Sequence, residues 1–160
     1  MANARKVYVA TPKGQIVKVQ HRNARATMEL KWNKGFSSQM NRNFQNAQEY
    51  VDSTVIRYMT PYTPMRNGIL YKSAILGTTI GSGEIIQVAP YARYQYYGKL
   101  MVSRITGSPW AKQGESKVLT ETPLKYSTFR HPLAGSHWFE RMKADKKDVI
   151  LRSAQRILNR

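Results

Sequence analysis

Apolar residues along this chain of 160 residues recur with two different periods, and the changes of period mark its elements. Near the start, the runs Lys6–Ala10 and Gln15–Gln20 alternate apolar with polar side chains, the period-two signature of strands. Between them lies Thr11-Pro12-Lys13-Gly14, where proline sets φ for a turn and glycine frees it. These two runs are expected to form a short β-hairpin. The stretch Ala26–Trp32 reads either as a third strand or as the approach to a helix. From about Asn33 to Met59 the period lengthens. Phe36, Met40, Phe44, Ala47, Val51, Val55 and Tyr58 recur at steps of four and three, placing one apolar stripe along a long helix. Asn41, Arg42, Gln45, Gln48, Glu49, Asp52 and Arg57 fall on the other side. Pro61 and Pro64 end the helix, because neither can donate a backbone hydrogen bond and each restricts the residue before it.

Beyond the prolines, Ser73–Ile80 and Glu84–Ala89 read as extended segments joined by Gly81-Ser82-Gly83, a hairpin turn rather than a phosphate-binding loop. Tyr91, Tyr94, Tyr96 and Tyr97 follow closely together. Tyrosine combines a large apolar face with a polar tip. This group therefore reads as a subunit interface, as rings packing a sheet edge against the long helix, or as a stacking surface for bases. Residues 98–135 hold glycines and prolines with little sustained periodicity, although Val118-Leu119-Thr120 has strand character. They are expected to form an extended excursion ordered by a neighbour. From Ser136 to about Leu158 the helical period returns through Phe139, Met142, Val149, Ile150, Ala154, Ile157 and Leu158, with Ser136 as the expected N-cap and Glu140 in the first turn.

The expected fold class is α+β: an antiparallel β-sheet packed by a long N-terminal-half helix and a C-terminal helix, with a long extended loop. A single domain spanning 1–160 is expected. It divides into a basic β-hairpin region (1–32), the long helix plus a β-hairpin (33–97), the excursion (98–135) and the C-terminal helix (136–160).

Charge changes this picture. The chain has 26 Lys+Arg against 9 Asp+Glu, a formal charge of +17, and no cysteine. With 41% apolar residues it has core material that a disordered basic tail lacks. The lack of cysteine excludes disulfides, thiolate chemistry and cysteine-based zinc sites. The N-terminal residues lack the apolar run of a signal peptide, and no stretch approaches the ~18–20 apolar residues of a membrane span. A soluble protein of a cytoplasm, or of something assembled there, is expected. From Met1 to Met28 there is no acid, while Arg5, Lys6, Lys13, Lys18, Arg22 and Arg25 are basic. This arm either lies against an anionic surface or is an exposed segment kept soluble by its charge. The C-terminal charges, mixed in sign, read as a solvated helix face.

Candidate chemistry is sparse. His21, His131 and His137 are scattered without metal-ligand spacing, and no G-x-S-x-G elbow or Gly-rich phosphate loop is present. The pairs Glu49/Asp52 and Asp145/Asp148 have helical spacing and read as charged surface. No catalytic residue, metal site or cofactor is expected.

Three ordered stretches carry a resemblance. They are Pro61-Tyr62-Thr63-Pro64-Met65-Arg66-Asn67-Gly68-Ile69-Leu70 with Ser73, then Ala89-Pro90-Tyr91-Ala92-Arg93-Tyr94-Gln95-Tyr96-Tyr97-Gly98, and finally Ser136-His137-Trp138-Phe139-Glu140-Arg141-Met142. After a long helix, this order resembles the minor capsid and tail-completion proteins of tailed bacteriophages, which act at the head–tail junction. The resemblance covers about residues 35–158. Many relatives place an acid and Thr-Gly before the leucine, where this chain has Arg66-Asn67-Gly68. The resemblance implies a structural virion component that forms a ring of six copies, assembled in the host cytoplasm, with no reaction to perform. The partners it implies are further copies of the chain, adjoining connector and tail proteins with acidic faces, and packaged duplex DNA in the channel, with no membrane. Six copies carry on the order of a hundred positive charges, whereas a ~35 Å channel segment of duplex supplies about 20 phosphates. Acidic neighbours or counterions are therefore expected to take up most of the excess. The expected interface residues are Tyr91, Tyr94, Tyr96, Tyr97, Arg104 and Trp110. Arg5, Lys6, Lys13, Lys18, Arg22 and Arg25 are expected to contact DNA or an anionic partner. The alternative is a non-enzymatic, sequence-independent nucleic-acid-binding domain that uses the same basic arm.

Overall fold

A computed structural model describes residue 10 and residues 13–159. The stripe read from the sequence forms helix α1 (Phe36–Met59), which ends where Pro61 enters a 3-10 turn at Thr60–Tyr62. Proline is tolerated there because the first residues of a turn have no helical partner for their N–H groups. Side chains close the end: the Thr60 hydroxyl donates to the carbonyl of Ile56 at 2.9 Å, and that of the buried Thr63 to Met59 at 3.0 Å. The C-terminal helix, α4 (Trp138–Leu158), packs along α1. Val55, Met59, Tyr62, Leu70, Ala74, Ala89, Trp138, Met142 and Ile150 form the core between them. Burying this many apolar side chains, each contributing about 1.5–3 kcal/mol, makes the helix pair the stable centre of the molecule.

Several expectations are corrected around this centre. Gln15–His21 (β1) pairs with Ala24–Leu30 (β2) in register Gln15↔Leu30 to His21↔Ala24, so the hairpin turns at Arg22-Asn23. Ala26–Trp32 is thus mainly strand. The strand expected over Lys6–Ala10 lies almost wholly outside the described residues. Ser73–Ile80 is not extended: Ile69–Gly77 is a helix, α2, with Leu70, Ser73 and Ala74 buried at helical spacing. Burial of that face outweighs the β-branched composition of the segment. Residues 84–89 keep the alternation of a strand, Ile85, Gln87 and Ala89 inward and Ile86 and Val88 outward, but pair with no strand among the described residues.

The tyrosine cluster forms a short helix, α3 (Ala92–Tyr97), ended by Gly98 at φ 73°. Glycine is needed there twice over, because a Cβ would also run into Ser136. Within the excursion, residues 99–123 form a second hairpin, and residues 124–135 keep the irregular course expected of it. Lys99–Ser103 (β3) pairs antiparallel with Lys117–Pro123 (β4), which contains Val118–Thr120, with an irregularity between Lys99 and Met101. Residues 124–137 return beneath α3, where the His137 N–H donates to the Tyr96 carbonyl at 2.8 Å. This contact, not a Ser136 side-chain cap, starts α4: His137 is the N-cap, at φ 48° with no side-chain hydrogen bond.

The class is α+β, with the described strands divided between two separate hairpins. Every residue of β1–β2 whose side chain is described is exposed.

Candidate functional site

Beside the core, α1, α3, the first turn of α4 and residues 83–87 enclose a cleft of about 430 Å³. Its walls are mainly apolar: Val51, Val55 and Met59 from α1, Trp138 and Phe139 from α4, with Tyr96 and Ile85. Tyr96 meets Trp138 edge to face, ring centroids 4.9 Å apart, and Tyr97 meets Tyr96 in the same way at 5.5 Å. Burial, together with the nearby Glu140 carboxylate, pushes the Tyr96 phenol above its ordinary value. Tyr96 is therefore anchored to the core, whereas Tyr91 and Tyr97 are exposed and Tyr94 is half-buried. The rings of Tyr96 and Tyr97 pack on His137 and Trp138 at the start of α4.

Asp52, expected on the charged surface, is buried at the edge of the cleft with 2% exposure. Its Oδ2 accepts the backbone N–H groups of Gly81 (2.8 Å) and Gly83 (3.1 Å), and its Oδ1 accepts from Gln48 Nε2 at 2.7 Å. The glycine turn thus holds an anion, but the anion is the protein's own carboxylate. Gly81 sits at φ 90°, and a Cβ there would strike Gln45 and Glu49, so the turn closes tightly on α1. Sequence reasoning missed this role. The signal was present, since Asp52 is three, four and seven residues from Val55, Ile56 and Met59, all buried on the inner face of α1. Exposed Glu49 and Glu84 stand on either side of this turn. Asp145, also read as charged surface, accepts a 2.5 Å hydrogen bond from the Tyr62 hydroxyl; this bond raises the Tyr62 phenol pKa.

A second organised region is the loop between β3 and β4. The buried Ser103 hydroxyl accepts the N–H groups of Ile105 (3.1 Å) and Thr106 (2.9 Å) and donates to Glu115. The other Glu115 oxygen accepts the Lys112 N–H at 2.9 Å, and Lys117 Nζ donates to the Pro109 carbonyl at 2.6 Å. The Ser103 bond holds the Glu115 carboxyl below its ordinary value, with the Lys112 N–H acting in the same direction. So constrained, the loop holds Ile105 and Trp110 in solvent, each 84% exposed. Exposed Arg104 stands beside them. Nothing in composition marked Ser103 or Glu115 as the organisers.

The basic arm is described from Lys13 onward; Arg5 and Lys6 lie outside the described residues. Lys18 and Arg25 share one face of β1–β2 with Ile16, Gln20, Thr27 and Glu29, while Val17, Val19, Ala26, Met28 and Leu30 line the other. Lys13, Lys18, Arg22 and Arg25 are all exposed. The structure therefore brings Tyr96 alone of the four tyrosines into the cleft wall, sets Arg104 and Trp110 on a separate loop, and puts the basic arm on a third surface.

Among the described residues no three His, Cys, Asp or Glu side chains converge as metal ligands, and no helix is long and apolar enough to cross a membrane. His131 donates from Nδ1 to the Thr63 carbonyl at 2.7 Å, a bond that assigns the proton to that nitrogen and ties the 124–137 return to the end of α1. Scanned against protein-family models, curated proteins and solved structures, the chain matches none.

Proposed function

We propose that this chain is a structural protein of a tailed-phage virion, one copy in a ring at the head–tail junction, and that it works through contacts rather than turnover. The observation that carries the reading is the β1–β2 hairpin, with Val17, Val19, Met28 and Leu30 on one face and all of them in solvent. Two strands alone are marginal in water and gain stability when a further layer covers them. Contiguous apolar surface of this sort marks a contact site. The three motifs of the resemblance fall at consecutive joints of the core: the end of α1, the α3 turn and the start of α4. The proposed partners are further copies, with six the number that the resemblance implies, acidic faces of adjoining connector and tail proteins, and duplex DNA in the channel.

Light scattering with negative-stain microscopy of the purified chain tests this. Closed rings, or rings formed on adding adjoining junction proteins, are expected. A chain that stays monomeric alone and with those proteins overturns the reading.

One observation favours a second reading. Lys18 and Arg25 lie on the hairpin face opposite its apolar one, a geometry that suits sequence-independent contact with phosphates. Under that reading a monomer binds duplex DNA with an affinity that falls steeply as salt rises. Salt-independent binding, or none, removes it.

A further inference from the structure

We infer that Trp110 of one copy seats in the α1–α4 cleft of a second copy, so that a loop-to-cleft contact joins neighbours in the ring; the inference rests on the assembly reading above. Two features of one chain meet in this contact. The first is a pre-organised donor. Hydrogen bonds through Ser103 and Glu115 hold the β3–β4 loop in a defined shape, and that shape leaves an indole 84% exposed. Tryptophan dominates binding energies at protein interfaces, and a loop ordered in advance loses little entropy on docking. The second is an apolar acceptor. The cleft offers about 430 Å³, within the range of sites that take a small organic group, with Trp138 and Phe139 on one side and Val51 on the other.

Charge selects the pairing. The loop carries exposed Arg104 and Lys112, with Lys117 at its β4 end, against one acid, Glu115, whose oxygens are taken up within the loop by Ser103 and the Lys112 N–H. The turn at the edge of the cleft is flanked by exposed Glu49 and Glu84 in a chain of net charge +17. Among the described residues the ion pairs are Lys31–Glu29 and Lys99–Glu121, so neither of these carboxylates pairs with a described cation; Glu49 Oε1 accepts one hydrogen bond, from Gln45 Nε2 at 3.1 Å. A basic loop bearing an aromatic anchor therefore meets an apolar cleft with acidic residues beside it. Because loop and cleft are different surfaces, the contact is heterologous. It passes from copy to copy and closes as a ring when the rotation permits.

The test uses the full chain in three forms: unaltered, Trp110→Ala, and Glu49→Lys with Glu84→Lys. All three sites are exposed, and circular dichroism confirms that each variant folds. Sedimentation is expected to show assemblies of the unaltered chain, and association weakened roughly thirty-fold or more in each variant. Mixing the two variants gives one intact indole and one intact cleft per pair, so dimers and nothing larger are expected. Rings of Trp110→Ala indistinguishable from those of the unaltered chain overturn the inference and leave the assembly reading standing. Variants that assemble weakly alone but form no dimer when mixed also overturn it. An unaltered chain that is monomeric at every concentration, with and without junction proteins, overturns the assembly reading itself.

Discussion

Apolar residues make up a similar share of the two helices of the α1–α4 body and of the β1–β2 hairpin, but the two regions resolve them in opposite ways. In the body, Trp138 and Met142 are almost wholly buried, and among the described residues no buried side-chain polar atom lacks a partner. Asp52, Thr63 and Ser73 each find a backbone group within the same region. In the hairpin, the ladder is complete between the two strands, yet among the described residues no further strand pairs with its edges and every described side chain is exposed. The difference is one of layers. A helix stripe buried against a second helix completes a core, whereas a two-stranded sheet lacking a covering layer does not. The body holds the buried core, and the hairpin is one of the surfaces proposed above for association.

Emptying the body weakens the molecule most. Trp138→Ala removes the largest buried side chain and is expected to cost about 4 kcal/mol, read as a lower urea midpoint with an unchanged slope. Next in size, Asp52→Ala leaves the Gly81 and Gly83 N–H groups without their acceptor. A loss of about 3 kcal/mol is expected, and a smaller one for Asp52→Asn, whose amide oxygen still accepts. An Asp52→Ala chain as stable as the parent would place this carboxylate back on the surface.

Tyr62→Phe deletes the bond to Asp145 and is expected to cost about 1 kcal/mol near neutral pH. The sign of its pH dependence follows from the raised phenol pKa, whose first cause is that bond. The stabilisation is fully present below the ordinary phenol pKa and disappears as pH rises through the folded value. Denaturation curves of the parent and Tyr62→Phe should therefore converge in alkali. Glu115 works in the opposite direction. Its carboxyl is held low by Ser103, so its contribution is present above the ordinary carboxylate pKa and lost as pH falls through the lower folded value. Acid should shift the amide resonances of Ile105 and Thr106 before the helices melt, and Glu115→Gln should abolish that early step. The smallest effect on the isolated chain belongs to the hairpin. Val17→Ser with Met28→Ser is expected to change unfolding by no more than about 0.5 kcal/mol while impairing assembly. A large loss of stability would show that the hairpin belongs to the core after all.

Much of the body was legible from order and period. The stripe from Phe36 to Tyr58 became α1, the prolines ended it, and the run from Phe139 to Leu158 became α4. α2 was not legible as a helix. Its nine residues mix Ile75 and Leu76, both exposed, with Leu70 and Ala74, both buried, so no single face stands out. Of the candidate interface residues, exposed Tyr97 and Trp110 are free to make contacts, whereas Tyr96 serves the core edge. Ser103 and Glu115 left no trace in sequence because their bonds join residues 12 apart across a loop whose path no local pattern specifies.

Local spacing along the chain determined the two long helices, the α+β class and the excess of positive charge, because each depends on near neighbours or on totals. Long-range packing turns Asp52 inward to hold the glycine turn, folds residues 99–123 as a hairpin and leaves Trp110 in water. These outcomes depend on which distant segments meet. The energy of a carboxylate or an indole is set by those neighbours, not by its place in the chain.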